Sequence, residues 1–358
     1  MRIVFDAYEL VLGQGKSIGI YNYAKNLLKA MPKALDDGAE IVVLCNSLNY
    51  ADFKCEHPAV SYVTISKLPD KFARLAWFFG QAAVTVKKLA ADVYFSPKGF
   101  LPIGMRLVSP QIKTVIVIHD LIPLWYADHY PGYFGRFEEL FINNAISSSI
   151  KRANHVIAIS GATADDITAR FGTGVPLSMA HNGVSIHAPG PRPYDKPYIF
   201  AMASQLPHKN AAGVLAAYRA YRTLAADPLP LFFCGIAAAD QEGVTAVKSL
   251  FDEQLHAYYA YADLFLFLSL IEGFGFPPVE ALAHGTPVLC SDIPALREVA
   301  KDLAAYADPR NPEQAGAKIA ELLAAENSPA RREARKKISQ EFTWLSCAIS
   351  ILNTIKSL

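Results

Sequence analysis

Residues Ala262 to Val299 read ADLFLFLSLIEGFGFPPVEALAHGTPVLCSDIPALREV. An apolar run from Leu264 to Ile271 stops at Glu272 and is followed by Gly273, Phe274, Gly275, Phe276 and two prolines. A second glutamate, Glu280, comes eight positions after the first, and Gly285 and Pro287 then lead to another apolar run, Val288 to Cys290. The pattern predicts strand, glycine loop, short helix, turn, strand. Pro277 and Pro278 suit the first turn of a helix, where an amide hydrogen has no intrahelical partner to lose. That end of a helix presents N–H donors and partial positive charge, so it favours an anion such as a phosphate. Gly273 and Gly275 allow a ligand to approach the main chain closely. Glu272 is expected at the carboxyl end of a strand, where open α/β sheets bind ligands. Glu280 is expected in the helix's first turn, able to accept two hydroxyl hydrogen bonds such as a ribose offers. The same residues also suit a plain tight turn and an acid-started helix, and spacing alone does not separate the two.

The segment EGFGFPPVE followed by EALAHGTPV resembles the donor-site signature, E-x7-E, of retaining family-4-type glycosyltransferases, similar to bacterial mannosyltransferases of surface-polysaccharide assembly. The resemblance implies the GT-B fold: two facing doubly wound Rossmann-like α/β domains with an interdomain cleft. It also implies that Glu280 holds the ribose of a nucleotide diphosphate, that Glu272 lies by the donor sugar, and that amides around Gly273, Phe274 and Gly275 face sugar and phosphates.

A chain of 358 residues, 52% apolar and 19% charged, has the size of two globular domains. A net charge of +1 gives no basis for nucleic-acid binding, which asks for a clustered basic face. Five scattered cysteines (Cys45, Cys55, Cys234, Cys290, Cys347) show no metal-ligand spacing and fit reduced thiols in the cytoplasm. The start, MRIVFDAYEL, runs straight into a strand-like pattern, so no signal peptide is expected. No window of about 18 uninterrupted apolar residues is present, so no spanning helix is expected either.

Residues 2–7 (RIVFDA) and 40–45 (EIVVLC) read as strands. Between them Gly13, Gly15 and Gly19 precede a helix with Tyr23, Leu27, Leu28 and Met31 at helical spacing. A glycine loop feeding a helix suits an anion, and suits an ordinary connection equally. By resemblance, SIGIY is the first-loop pattern whose Gly19 approaches the donor phosphates, with Ile20 where the family carries arginine. The stretch 67–91 reads as a basic, aromatic amphipathic helix: either a core helix with a solvated face, or an interfacial one, with Lys71, Arg74, Lys87 and Lys88 at lipid head groups and Trp77, Phe78 and Phe79 inserted. TVIVI (114–118) is a buried strand ending at His119-Asp120. A histidine there suits a hydrogen-bond donor or an acid/base group, and a structural role also fits. The resemblance puts His119 on the sugar side of the cleft, with Asp120 orienting the loop.

HAPGPRPYDKP (187–197), with four prolines in eleven residues, reads as an interdomain linker. The expected domains are 1–190 on the acceptor side, 191–340 for the nucleotide sugar, and a terminal helix, 341–358, crossing back. In QLPHKN (205–210), Lys209 is placed to stabilise charge on a departing diphosphate. The family's neighbouring arginine is absent; His208 and Ser204 occupy the two places, and a protonated His208 would supply part of that charge.

Together these features predict a retaining hexosyltransferase. It would use a GDP-, UDP- or dTDP-sugar, GDP-mannose first, without a metal, and a glycan or lipid-linked acceptor. His119, Lys209 and Glu272 are the expected catalytic residues; Gly19, His208, Lys209, Gly273, Phe274, Gly275 and Glu280 the donor-binding ones. Peripheral contact with the inner membrane is compatible with the slightly basic first half. The alternatives are a GT-B-fold nucleotide-sugar epimerase and a silent sugar-nucleotide-binding protein.

Overall fold

Seven short runs of the first 180 residues pair into one parallel sheet: β1 (Arg2–Asp6), β2 (Glu40–Asn46), β3 (Val60–Ile65), β4 (Val93–Ser96), β5 (Lys113–Ile118), β6 (His155–Ala158) and β7 (Leu177–Met179), in the order β3-β2-β1-β4-β5-β6-β7. β1, β4 and β5 are almost wholly buried, as expected of parallel strands covered by helices on both faces. The structure is a computed structural model that describes residues 1–13, 18–237, 241–248, 250, 252–325 and 327–358. Gly15, part of the expected first loop, lies outside the described residues.

The pattern then restarts. β8 (Ile199–Met202), β9 (Leu231–Cys234), β10 (Val244–Val247), β11 (Leu264–Phe267), β12 (Val288–Ser291) and β13 (Ala305–Ala307) form a second parallel sheet, in the order β10-β9-β8-β11-β12-β13. Helices Ala211–Leu224 and Pro312–Ala324 cover one face of it through Val214, Ala217, Tyr218, Tyr221, Ala315 and Ile319. In both sheets the strand order reverses beside the first strand, between β1 and β4 and between β8 and β11. This is the topological switch point, where loops leaving the carboxyl ends diverge and open a crevice.

The chain divides into two units, Met1–Gly183 with Trp344–Leu358, and Val184–Thr343. The division falls before the proline-rich stretch, not at 190/191. Val184 N donates to Phe342 O (2.9 Å) and Gly190 N to Glu253 O (2.9 Å), so residues from 184 onward are already tied into the second unit. The last helix, Trp344–Lys356, packs in the first unit: Trp344 meets Tyr23 at 5.8 Å between rings, and Lys356 Nζ bonds Asp36 Oδ1 at 2.8 Å.

The stretch 67–91 is not one amphipathic helix. Helices Lys71–Ala76 and Ala82–Lys88 are joined by a π-helical turn, Trp77–Gln81. Trp77 is buried, packs at a tilt on Tyr8 and donates its indole N–H to Asp6 Oδ2 (2.9 Å), so this ring cannot enter a bilayer. The buried Asp6 carboxylate demands donors, and the extra residue of the π turn swings the indole inward to serve it.

Candidate functional site

In the second unit, the loops after β8 and β11 face each other across the switch point and are laced together. Pro207–Lys209 makes one 3-10 turn, ended by Asn210 in the left-handed conformation (φ 54°). Asn210 Nδ2 donates to Leu268 O and Pro309 O, both at 2.9 Å, and Leu270 N donates to His208 O at 2.7 Å. β11 therefore ends at Phe267, four residues before the end of the apolar run, because residues 268 and 270 spend their main-chain groups on the neighbouring loop and not on the ladder. Glu272 lies on this loop, not on the strand end.

The lacing brings Lys209 and Glu272 into contact. Lys209 Nζ lies 2.6 Å from Glu272 Oε1, with 26% of the lysine side chain and 10% of the glutamate exposed, and 5.7 Å from the Phe267 ring centre. The pair is a charge-assisted hydrogen bond at a half-buried position, which holds the ammonium in place while leaving part of it open to a ligand.

Gly273, Phe274 and Gly275 follow, all buried. The Phe274 ring packs on Phe276 (5.2 Å) and Phe342 (5.4 Å), so its side chain anchors the loop and only its main chain can serve a ligand. Gly275 has φ 113°, and a Cβ there would collide with Leu296. Any other residue is strained at that φ, and Leu296 would have to shift to admit its side chain. The helix that follows is Phe276–Ala283, eight residues long. Its first residue is Phe276, so Glu280 stands in the second turn, not the first, and the favourable field of the helix start is correspondingly weaker there. Glu280 is instead governed by burial, which raises its carboxyl to about 7 against the lowering effect of its hydrogen bond with Tyr259. Tyr259 is itself fully buried.

His208 does not supply positive charge. Its ring is buried, and burial followed by the charge of Lys209 lowers it to about 4, so it is neutral near pH 7. The ammonium of Lys209 is the cation that these two loops contribute.

Gly19 and His119 belong to the first unit. Gly19 is exposed and is the second residue of the helix Ile18–Ala30, inside the helix and not in the loop before it. His119 follows β5. Its Nε2 lies 2.7 Å from Pro97 O and its ring meets the edge of Tyr23 at 4.6 Å. A carbonyl partner requires Nε2 to carry the hydrogen, which makes Nδ1 the acceptor. Burial lowers this histidine to about 4, more than the Pro97 carbonyl raises it. His119 is thus a neutral ring near pH 7, with Nδ1 able to accept a hydrogen bond. Asp120 Oδ1 accepts from Ile122 N (3.0 Å), which shapes the loop.

Four polar residues near these loops escaped sequence reading: Asn210, Tyr259, and the ion pair Glu9–Lys98 after β1 and β4. Asn210 carried a signal, an asparagine immediately before a helix. The others carried none, because their partners lie 21 or 89 residues away. No group of three or more His, Cys, Asp or Glu side chains that could hold a metal occurs among the described residues.

The sequence model of the family described as "Glycosyltransferase Family 4" matches residues 19–188, and that described as "Glycosyl transferases group 1" matches residues 185–341. The O-antigen chain mannosyltransferase RfbU of Salmonella typhimurium is 25% identical over 313 residues, covering 82% of this chain and 84% of that protein. Among solved structures, sucrose-phosphate synthase from Thermosynechococcus elongatus superposes with a TM-score of 0.72 at 17% identity, covering 99% and 98% of the two chains. Anabaena Alr3699/HepE, solved in complex with UDP and glucose, gives 0.69 at 16%, covering both chains fully. At such identities the structural likeness establishes the fold, which is GT-B.

Proposed function

The chain belongs to the glycosyltransferases that these two domain families describe, and on that premise we propose that it moves a hexose, mannose first, from a nucleotide-diphosphate sugar to a glycan or lipid-linked acceptor in surface-polysaccharide synthesis. The observation that carries this reading is the Lys209–Glu272 pair at the switch point of the second unit, beside the Gly273–Gly275 loop. GDP-mannose is the first donor because the Salmonella relative is named a mannosyltransferase; UDP- and dTDP-sugars follow.

In this reading the second unit holds the donor. Glu280 accepts from the ribose, Lys209 and the amides of the Gly273–Gly275 loop meet the diphosphate, and Glu272 meets the sugar. His119 and Gly19 act from the first unit, His119 on a sugar hydroxyl and Gly19 toward the phosphates. Transfer proceeds with retention and without a metal. The bond from the anomeric carbon to the phosphate oxygen breaks, the acceptor oxygen bonds on the same face, and the acceptor's proton passes to the leaving phosphate. The transition state resembles an oxocarbenium ion, and Lys209 offsets charge growing on the diphosphate.

Thermal-shift screening against GDP, UDP and dTDP tests the donor, since a ligand bound only by the native state raises its melting temperature. A rise with one nucleotide, followed by transfer from the matching sugar nucleotide, is the expected result; no shift with any of them would sink the reading. The neutral His208 leaves one cation on these loops, which favours a second reading, a binding protein without turnover. That protein would show the thermal shift but release no nucleotide diphosphate from the sugar nucleotide. An epimerase would convert the sugar with no acceptor present.

A cytoplasmic site with peripheral membrane contact completes the reading. What supports it is that Leu107 (84% exposed), Phe137 (91%), Leu140 (63%) and Phe79 (55%) stand open on the first unit. Residues 71–88 and 103–113 contain no acid, while Glu138 and Glu139 lie between Phe137 and Leu140. The expected result is co-sedimentation with phosphatidylglycerol vesicles, lowered about tenfold by the double substitution Phe137→Ser, Leu140→Ser. Equal binding by the variant would remove this surface from consideration.

A further inference from the structure

The two sheets carry the same device at the same topological place. In the second unit, a lysine after β8 pairs with a glutamate after β11 across the switch point. In the first unit, Glu9 follows β1 and Lys98 follows β4, the two strands that flank that unit's switch point, and the Lys98 ammonium is ion-paired with Glu9. The side chains are 15% and 14% exposed for Lys98 and Glu9. A half-sequestered ion pair of this kind stabilises a fold little, because desolvation cancels most of the attraction. Its position at the carboxyl ends of parallel strands is where α/β sheets bind ligands.

The surroundings have the chemistry of sugar recognition. Lys98 Nζ lies 5.4 Å from the centre of the Phe100 ring, which offers a flat apolar face. Pro97 O, one residue before Lys98, takes the Nε2–H of His119 at 2.7 Å and so links this loop to the acceptor nitrogen of that ring. Gly99 makes the arrangement possible: at φ 84° it lies so close to β5 that a Cβ would stand 2.9 Å from Val117 O. A carboxylate and an imidazole that accept, an ammonium that donates and an aromatic face match a polyol. Lys98 is less open than Lys209, 15% against 26% of the side chain exposed, so its ammonium offers less of itself to an anion.

We propose that Glu9 and Lys98, with Phe100, form the subsite for an uncharged terminal hexose of the acceptor, gripped through neighbouring hydroxyls. This rests on the reading of the chain as a hexosyltransferase that takes its acceptor on the first unit.

The test uses the full chain, the sugar nucleotide whose base gives the thermal shift, and octyl α-mannoside as acceptor probe. Glu9→Gln and Lys98→Met should each raise KM for octyl α-mannoside about tenfold or more, while Lys98→Arg recovers part of the loss. Nucleotide affinity, which reports on the second unit, should stay at the wild-type level. Melting temperatures of the single variants separate recognition from architecture. Lys98 is also attracted by the buried Asp6, so a merely structural role shows as a lowered melting temperature with unchanged KM, whereas a sugar clamp raises KM in a variant that melts near wild type. Wild-type KM in the single variants overturns the subsite and leaves the hexosyltransferase reading standing. So does a wild-type enzyme that hydrolyses donor yet neither uses nor is inhibited by octyl α-mannoside. Stronger inhibition by mannose 6-phosphate than by octyl α-mannoside overturns the uncharged class. Absence of both nucleotide binding and donor hydrolysis fails the functional reading itself.

Discussion

Lys209→Ala lowers turnover at saturating donor by about 10²–10³-fold, the usual cost of removing one preorganised group aimed at developing charge. Two features of the structure make the effect large. Lys209 is the cation of its two loops, because burial keeps His208 neutral near pH 7. It is also held in place, by Glu272 at 2.6 Å and by the Asn210 bonds to Leu268 and Pro309 that close the 3-10 turn behind it. Lys209→Arg keeps the charge but alters the geometry of that contact, so it recovers only part of the loss. The discriminating measurement is the split between kcat and donor KM. A charge that matters in the transition state lowers kcat, whereas one that binds donor and transition state equally raises KM alone. Unchanged kcat in Lys209→Ala removes the leaving-group role assigned to this residue. Glu272→Gln is the companion: it leaves the ammonium without its ionic partner, and a double variant no slower than the slower single one marks the pair as one unit.

Glu280→Gln weakens nucleotide binding by about 10–100-fold and at the same time stabilises the free protein at alkaline pH. The two effects share one cause. Burial raises the Glu280 carboxyl to about 7 while its hydrogen bond with Tyr259 opposes the rise. The folded state therefore binds the proton more tightly than the unfolded chain, whose carboxyl titrates near the ordinary value of about 4.3. Stability is then greatest below that value, declines as pH rises to about 7, and is level above. The amide escapes this penalty, on the order of 3–4 kcal/mol, and still accepts from Tyr259. The variant should melt higher than wild type at pH 8 and together with it near pH 4. Nucleotide affinity runs the other way. Two ribose hydroxyls donating to an ionised carboxylate are worth about 1.5–3 kcal/mol each at most, and the neutral amide forfeits much of that. Wild-type affinity should climb between pH 6 and 8 more steeply than that of Glu280→Gln. Parallel pH profiles for the two proteins would detach Glu280 from the ribose.

The amino-acid order alone determined the two parallel sheets and the class of chemistry. The runs RIVFD, TVIVI, YIFAM and LFLF are short and largely apolar, as strands buried on both faces are, and the helical repeats between them favour parallel pairing. The glycine–proline block after β11 is equally local, since positive φ at Gly275 and a helix begun by prolines are properties of neighbouring residues. What needed the tertiary structure was every property that depends on residues far apart in the chain. Lys209 and Glu272 are 63 positions apart and Glu9 and Lys98 are 89 apart, and only the strand order, which reverses between β8 and β11 and between β1 and β4, makes each pair neighbours. The neutrality of His208 and His119, the raised carboxyl of Glu280 and the inward turn of Trp77 were equally hidden. Each is set by how much water the surrounding packing excludes. Desolvation is a property of the assembled interior, and no spacing along the chain encodes it.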